Sequence, residues 1–211
     1  MDHCNNLNWA TSMINPRPDI SPSIAHYTKG DTWAAAFENL LRIIRDGSIT
    51  DNSFKIKGDY RCVCFSEAPL GVIGDGLANS AGYRRYSPFG IMFEKRHIFE
   101  LGGRPVIYQS DDEFNLLLDD QKWRHMRYEP NAPLPVDFTW EREWRIRRDQ
   151  LQFTAGEAIV VVPDRRYAEQ LQRAHNIQQD WQVLQYSLVL GEDTAELYRQ
   201  DFPWRMTILN E

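Results

Sequence analysis

A chain of 211 residues is long enough to bury a sizeable core, and 42% hydrophobic with 26% charged residues describes a soluble globular protein rather than a disordered one. The net charge of −6 argues against a general nucleic-acid coat and leaves room only for a local basic groove, with Tyr83-Arg84-Arg85-Tyr86 and Arg145-Ile146-Arg147-Arg148 as the candidate runs. Three cysteines cannot all pair within one chain, no apolar run approaches a membrane span and the N-terminus lacks a leader, so the expectation is a reducing, cytoplasmic setting with no membrane.

Residues 1–22, carrying Asn, Ser and Pro, form an irregular lead-in; residues 23–211 then read as a single domain. Ile24 to Thr28 is a short strand, turned by Lys29-Gly30, and Asp31 or Thr32 caps the helix that follows. That helix carries its apolar stripe at Trp33, Phe37, Leu40, Leu41 and Ile44 and stops at Asp46-Gly47. Ile49 to Lys57 is weakly strand-like. Arg61 to Phe65 is apolar and β-prone, Ser66-Glu67-Ala68-Pro69 breaks it, and Gly71 to Ser80 is a glycine-rich loop.

Pro88 to Phe93 and Pro105 to Tyr108 read as further strands. A helix is predicted from Asp111 to about Met126 on the apolar positions Phe114, Leu117, Leu118 and Trp123. A connector from Pro130 to Pro135 leads into a strand over Phe138–Ile146. There Thr139, Glu141, Glu143 and Arg145 fall on one face, with Trp140, Arg142, Trp144 and Ile146 on the other. Ala158 to Val162 is a buried strand, Asp164 caps a helix carrying Tyr167, Leu171 and Ala174, Val183 to Leu190 reads as a strand, and Thr194 to Arg199 as a short helix. The fold class is α+β, with many short mixed and antiparallel strands and flanking helices.

Three stretches could share a cleft: His26 and Thr28 on one strand face, Arg61 through Ser66-Glu67 at the end of a strand, and Glu141 with Glu143. Two carboxylates on one strand face repel each other, and a protein keeps such a pair where cations lie close or where the acids have a task.

In order and with their flanks, His26-x-Thr28 before a helix, Val63-Cys64-Phe65-Ser66-Glu67-Ala68-Pro69 and the late strand with Glu143 before Trp144 resemble the ADP-ribosyltransferase fold. The likeness is greatest to the toxin branch that modifies DNA bases. The resemblance implies a split sheet, NAD as cofactor, His26 and Thr28 at the NAD site, Glu143 as the catalytic acid and Glu141 as the upstream member of a Glu-x-Glu pair. Where that branch carries a basic residue after its Phe strand this chain has Glu67, leaving Arg61, Arg84 or Arg85 to substitute.

A second resemblance, over residues 24–148, joins Cys64 to Leu70, Tyr86-Ser87-Pro88-Phe89-Gly90-Ile91, Lys95, Pro105 to Tyr108 and Glu141-Arg142-Glu143-Trp144-Arg145. These segments are similar to bacterial abortive-infection proteins of the AbiGi type, which implies a phage-defence context.

The chemistry implied is cleavage of the nicotinamide–ribose bond, an N-glycoside whose rupture builds oxocarbenium character. A carboxylate on the ribose 2′-hydroxyl tightens its hold as that charge grows. Glu143 takes this role; His26 orients the ribose as a neutral imidazole, Ser66 lies in the loop that clasps the cofactor, Tyr83 or Tyr86 stacks on nicotinamide, and an arginine such as Arg61 meets the pyrophosphate. Arg84, Arg85 and Arg145 are the candidates for holding the acceptor, a nucleic-acid base or a protein side chain. The rival reading is an inactive transferase-like binding module serving as an antitoxin for a cognate toxin or as a phage sensor.

Overall fold

The computed structural model describes residues 20–50, 56–74 and 86–210 of the chain. The predicted lead-in up to residue 19, the loop beyond Gly74, and Tyr83, Arg84 and Arg85 lie outside the described residues.

Ile24 packs to one side of the first strand, β1 (Ser23–Tyr27), and Ala25 and Tyr27 to the other, as strand alternation requires. Thr32 rather than Asp31 caps helix α1 (Trp33–Asp46): its Oγ1 accepts from the Ala35 N–H at 3.1 Å. Gly47 ends the helix in the left-handed conformation, φ 56°, where its N–H reaches the carbonyls of Ile43 and Ile44. The buried face of α1 is Ala36, Phe37 and Leu40.

The chain continues through β2 (Ser48–Thr50), β3 (Val63–Ser66), α2 (Leu70–Gly74), β4 (Gly90–Glu94), α3 (Lys95–Glu100), β5 (Arg104–Pro105), β6 (Ile107–Gln109) and β7 (His125–Arg127). It ends with β8 (Glu143–Ile146), β9 (Gln150–Gln152), β10 (Ala158–Val162), α4 (Arg165–Leu190), α5 (Glu192–Glu196) and β11 (Arg205–Ile208). Among the described residues one seven-stranded sheet has the order β11-β10-β4-β1-β3-β8-β5, antiparallel except where β11 joins β10. Two small ladders, β2 with β9 and β6 with β7, flank it. The result is an α+β domain with a mostly antiparallel sheet and flanking helices. No helix among the described residues is long and apolar enough to cross a membrane.

The main core lies where α1 and the first half of α4 cover the sheet, with Phe37, Phe89 and Tyr167 in mutual ring contact. β4 approaches β1 so closely at the Tyr27–Gly90 pair that a Cβ on Gly90 would stand 2.6 Å from the His26 carbonyl oxygen. Only glycine fits there.

Four expectations are corrected. Asp111–Met126 is not an α-helix but two 3₁₀ turns, Asp112–Leu116 and Lys122–Arg124, followed by β7. Asp111, Asp112, Asn115, Asp119 and Asp120 offer the backbone competing side-chain acceptors, which disfavours a continuous helix. Val183–Leu190 is not a strand but the last two turns of α4. Pro105–Tyr108 is divided at Val106 between β5 and β6, which belong to different sheets. The strand predicted over Phe138–Ile146 begins only at Glu143: Thr139–Glu141 is a 3₁₀ turn, and Arg142 is left-handed at φ 45°.

Candidate functional site

The sheet opens between β1 and β3. These strands share a single registered pair, Ala25 with Ser66, and His26 bridges the seam beyond it by a 2.9 Å hydrogen bond from Nδ1 to the Cys64 carbonyl. A carbonyl only accepts, so Nδ1 carries the proton and Nε2 keeps its lone pair. Burial holds the imidazole pKa below its ordinary value; the nearby Lys29 charge pushes the same way, and the Cys64 hydrogen bond opposes them. A neutral His26 follows. Its ring packs edge-on against Phe65, and it lines a hollow of about 250 Å³ with Asn39 and Arg42 of α1 and Ser48 of β2.

One strand further on, Ser66 is registered with Glu143 at the start of β8. Glu143 is buried and accepts from Arg145 Nε at 2.7 Å. Arg145, equally buried, sends Nη1 to the carbonyls of Trp123 at 3.0 Å and His125 at 2.8 Å, so backbone from the Lys122–Arg124 turn and β7 holds the cation in place. Burial alone would lower the Arg145 pKa; the Glu143 charge overrides that and raises it. Burial also pushes the Cys64 thiol up, and the Glu143 charge adds to it. The Glu143 N–H donates to Tyr108 Oη at 3.0 Å while that phenol donates to the Phe138 carbonyl at 3.2 Å. Chiefly by burial, the Tyr108 phenol is pushed up to about 12. It therefore stays a neutral donor.

Glu143 and Arg145 line a cavity of about 640 Å³ together with Lys29, Lys57, His125 and Tyr86. That volume falls in the range of small-molecule sites. Lys29, Cys64 and Tyr86 border both this cavity and the His26 hollow, so the two spaces adjoin.

Glu141 does not sit on a strand beside Glu143, because the 3₁₀ turn and the left-handed Arg142 interrupt the alternation. It is fully buried, and its Oε2 accepts from the Tyr86 hydroxyl at 2.7 Å. Its carbonyl accepts from Ser66 Oγ at 2.9 Å and from the Glu67 N–H at 3.1 Å, locking this turn to the end of β3. Glu67, standing where a basic residue was expected, takes Lys95 Nζ at 2.8 Å and Trp144 Nε1 at 2.9 Å.

The structure thus brings His26, Thr28, Ser66, Tyr86, Glu143 and Arg145 to the borders of two adjoining spaces. Several predicted ligand contacts nonetheless make protein contacts instead. The Thr28 hydroxyl bonds the Ala36 carbonyl at 3.0 Å and anchors α1, Ser66 holds the Glu141 turn, and the Arg145 guanidinium orients Glu143. Arg61 is exposed, 3.5 Å from Asp149, and lines neither space. The run Arg145–Arg148 is no basic face: Arg145 is buried in β8, while beyond the strand's end Arg147 stacks over Tyr60 and Arg148 donates to the Leu101 carbonyl. Sequence reasoning missed Lys29, Lys57, His125 and the positioning phenol of Tyr108. It also missed Tyr27, whose buried hydroxyl has no hydrogen-bond partner among the described residues. Lys29 alone carried a legible signal, directly after His26-x-Thr28.

Compared with known proteins, the chain matches no family model, no curated protein and no solved structure.

Proposed function

We propose that the chain is an NAD-dependent ADP-ribosyltransferase of the ADP-ribosyltransferase-like fold, a toxin or phage-defence effector that modifies a nucleic-acid base or a protein side chain. The observation that carries this reading is Glu143: a buried carboxylate, held by Arg145, on a cavity of about 640 Å³ that adjoins the hollow of a neutral histidine. The motif resemblances and the phage-defence context of AbiGi-type proteins lend it support.

The residues present fit NAD in kind. Lys29 brings positive charge to the cavity for a pyrophosphate, with Lys57 beside it already 3.3 Å from the Asp111 carboxylate, and the Tyr86 ring, bordering both spaces, offers a stacking face for nicotinamide. NAD, when bound, supplies an ADP-ribosyl group on a glycosidic bond from which nicotinamide departs. Glu143, with four lone-pair sites and one taken by Arg145, retains capacity to accept from the ribose 2′-hydroxyl; its grip strengthens as the sugar becomes positive. His26 offers Nε2 as an acceptor toward the NAD ribose. Arg145 and Tyr108 act as positioning residues, fixing the side chain and the backbone of Glu143 respectively.

Glu141 favours a second reading. Its burial under Tyr86 and the commitment of the Thr28 and Ser66 hydroxyls to the protein suit a rigid module that binds without turning over, as an antitoxin or a phage sensor.

The two are separated by NAD itself. The enzyme reading expects thermal stabilisation by NAD and release of nicotinamide. Glu143→Gln keeps the stabilisation and loses turnover by roughly 10²–10³-fold. No shift with NAD and no released nicotinamide would overturn it, and a shift without release would leave the binding module.

A further inference from the structure

The far half of α4 breaks the ordinary rule for a helix packed on a domain. Its first turns are anchored conventionally, with Asp164 as N-cap and Ala168 and Leu171 in the core. Beyond them Ile177, Trp181, Leu184 and Leu188 are 58%, 63%, 52% and 82% exposed. Their spacing of four, three and four residues puts all four on one stripe of the helix, the pattern of a coiled-coil seam. The opposite side of this half is the one that is covered. His175 Nε2 bonds the Gln200 carbonyl, Gln179 accepts from the Gln200 N–H, and Tyr186 packs edge-on against Tyr198. α5 and the turn after it therefore brace the helix from behind and leave the apolar stripe facing outward.

We propose that this stripe is the interface of a homodimer, in which a second copy of the chain packs its own α4 against it. Three features on the helix single out a second copy. First, a heptad seam is self-complementary: knobs from one helix enter the holes of an identical one about a two-fold axis, and the contact closes.

Second, the borders of the stripe carry no block of like charge to repel a copy, nor one to recruit an oppositely charged partner. Gln178 and Gln185 run along one edge and Asp180 and Ser187 along the other, with Asp180 already paired to Arg199 Nη1 at 2.7 Å.

Third, the area suffices. Four large apolar side chains exposed to this degree offer roughly 400 Å² per copy, the scale of patch that marks an interaction site. Doubled across a two-fold axis and widened by the glutamine borders, it approaches about 1,200 Å², the lower limit of stable interfaces. The bracing by α5 adds preorganisation, since the helix has little left to order on pairing.

The test is the solution mass of the whole chain by light scattering across the micromolar range. Wild type is expected at twice the chain mass. Trp181→Glu/Leu184→Glu drops it to one chain with an unchanged circular dichroism spectrum, and Leu197→Glu, exposed on the bracing side, stays at two. A wild type of single-chain mass throughout overturns the proposal. A dimer that survives the double substitution overturns it equally, since its interface then lies elsewhere.

Discussion

The seam around β3 and β8 and the far half of α4 depart from the usual partition of side chains in opposite directions. At the seam, Glu141, Glu143 and Arg145 are buried charged groups; on α4, Ile177, Trp181, Leu184 and Leu188 are exposed apolar ones. Both are the informative kind of exception. They differ in where the exception is resolved. Each of these buried charges meets a partner within the chain: the Tyr86 hydroxyl for Glu141, Arg145 two residues along the same strand for Glu143, and the carbonyls of Trp123 and His125 for Arg145. The α4 stripe finds nothing to cover it among the described residues. A region that satisfies buried charge internally is built to be rigid, and one that leaves an ordered apolar stripe unsatisfied is built to meet something else.

The sharpest way to break this contrast is Arg145→Met. It removes the donors that hold Glu143 and leaves a buried carboxylate uncompensated, so denaturant unfolding should show a loss of about 3–5 kcal/mol. Adding Glu143→Gln to Arg145→Met removes the stranded charge and should recover much of that loss. A single substitution that costs almost nothing would mean that water reaches Glu143, and the claim of internal satisfaction would fall.

A smaller effect comes from His26. Burial lowers its folded-state pKa below the unfolded value of about 6.5, so as pH falls through that value the unfolded chain takes up a proton that the native seam refuses. Stability should therefore be insensitive to His26 above neutrality and decline as pH drops below about 6.5 toward the lowered folded value. The slope in that window should flatten in His26→Gln. Equal slopes in both proteins would show that His26 titrates normally and is open to solvent.

How much of this was legible in the sequence follows the range of the interactions. α1 was read to its last residue because Thr32, the stripe from Trp33 to Ile44 and Gly47 are all local signals. β10 and the Asp164 cap were legible for the same reason. The pairing of Glu143 with Arg145 was hidden in plain view: Arg145, in a run that looks like exposed charge, is buried because β3 and β5 flank β8 on both edges and the carbonyls of Trp123 and His125 cap the guanidinium. Only tertiary context decides that. The left-handed Arg142 has no signature either, since a β-prone Trp-Glu-Arg-Glu-Trp string gives no warning of a break. Val183–Leu190 reads as a strand from sequence because a short apolar run lacks a period that distinguishes strand from helix, and only the structure shows it as the exposed end of α4.

The smallest expected effect is also the most diagnostic for α4. Trp181→Glu/Leu184→Glu alters solvent-facing positions, and at concentrations low enough for wild type to be a single chain the two proteins should unfold within about 0.5 kcal/mol of each other. At higher concentration they should part. Association adds stability by mass action, so the wild-type melting temperature rises with concentration while that of the double variant stays level. The same experiment on Arg145→Met should show a deficit present at every concentration, because the interactions lost there lie within one chain. A wild type whose melting point ignores concentration would mean that the stripe gains nothing from a second copy, and the contrast between an internally and an externally satisfied region would lose its second half.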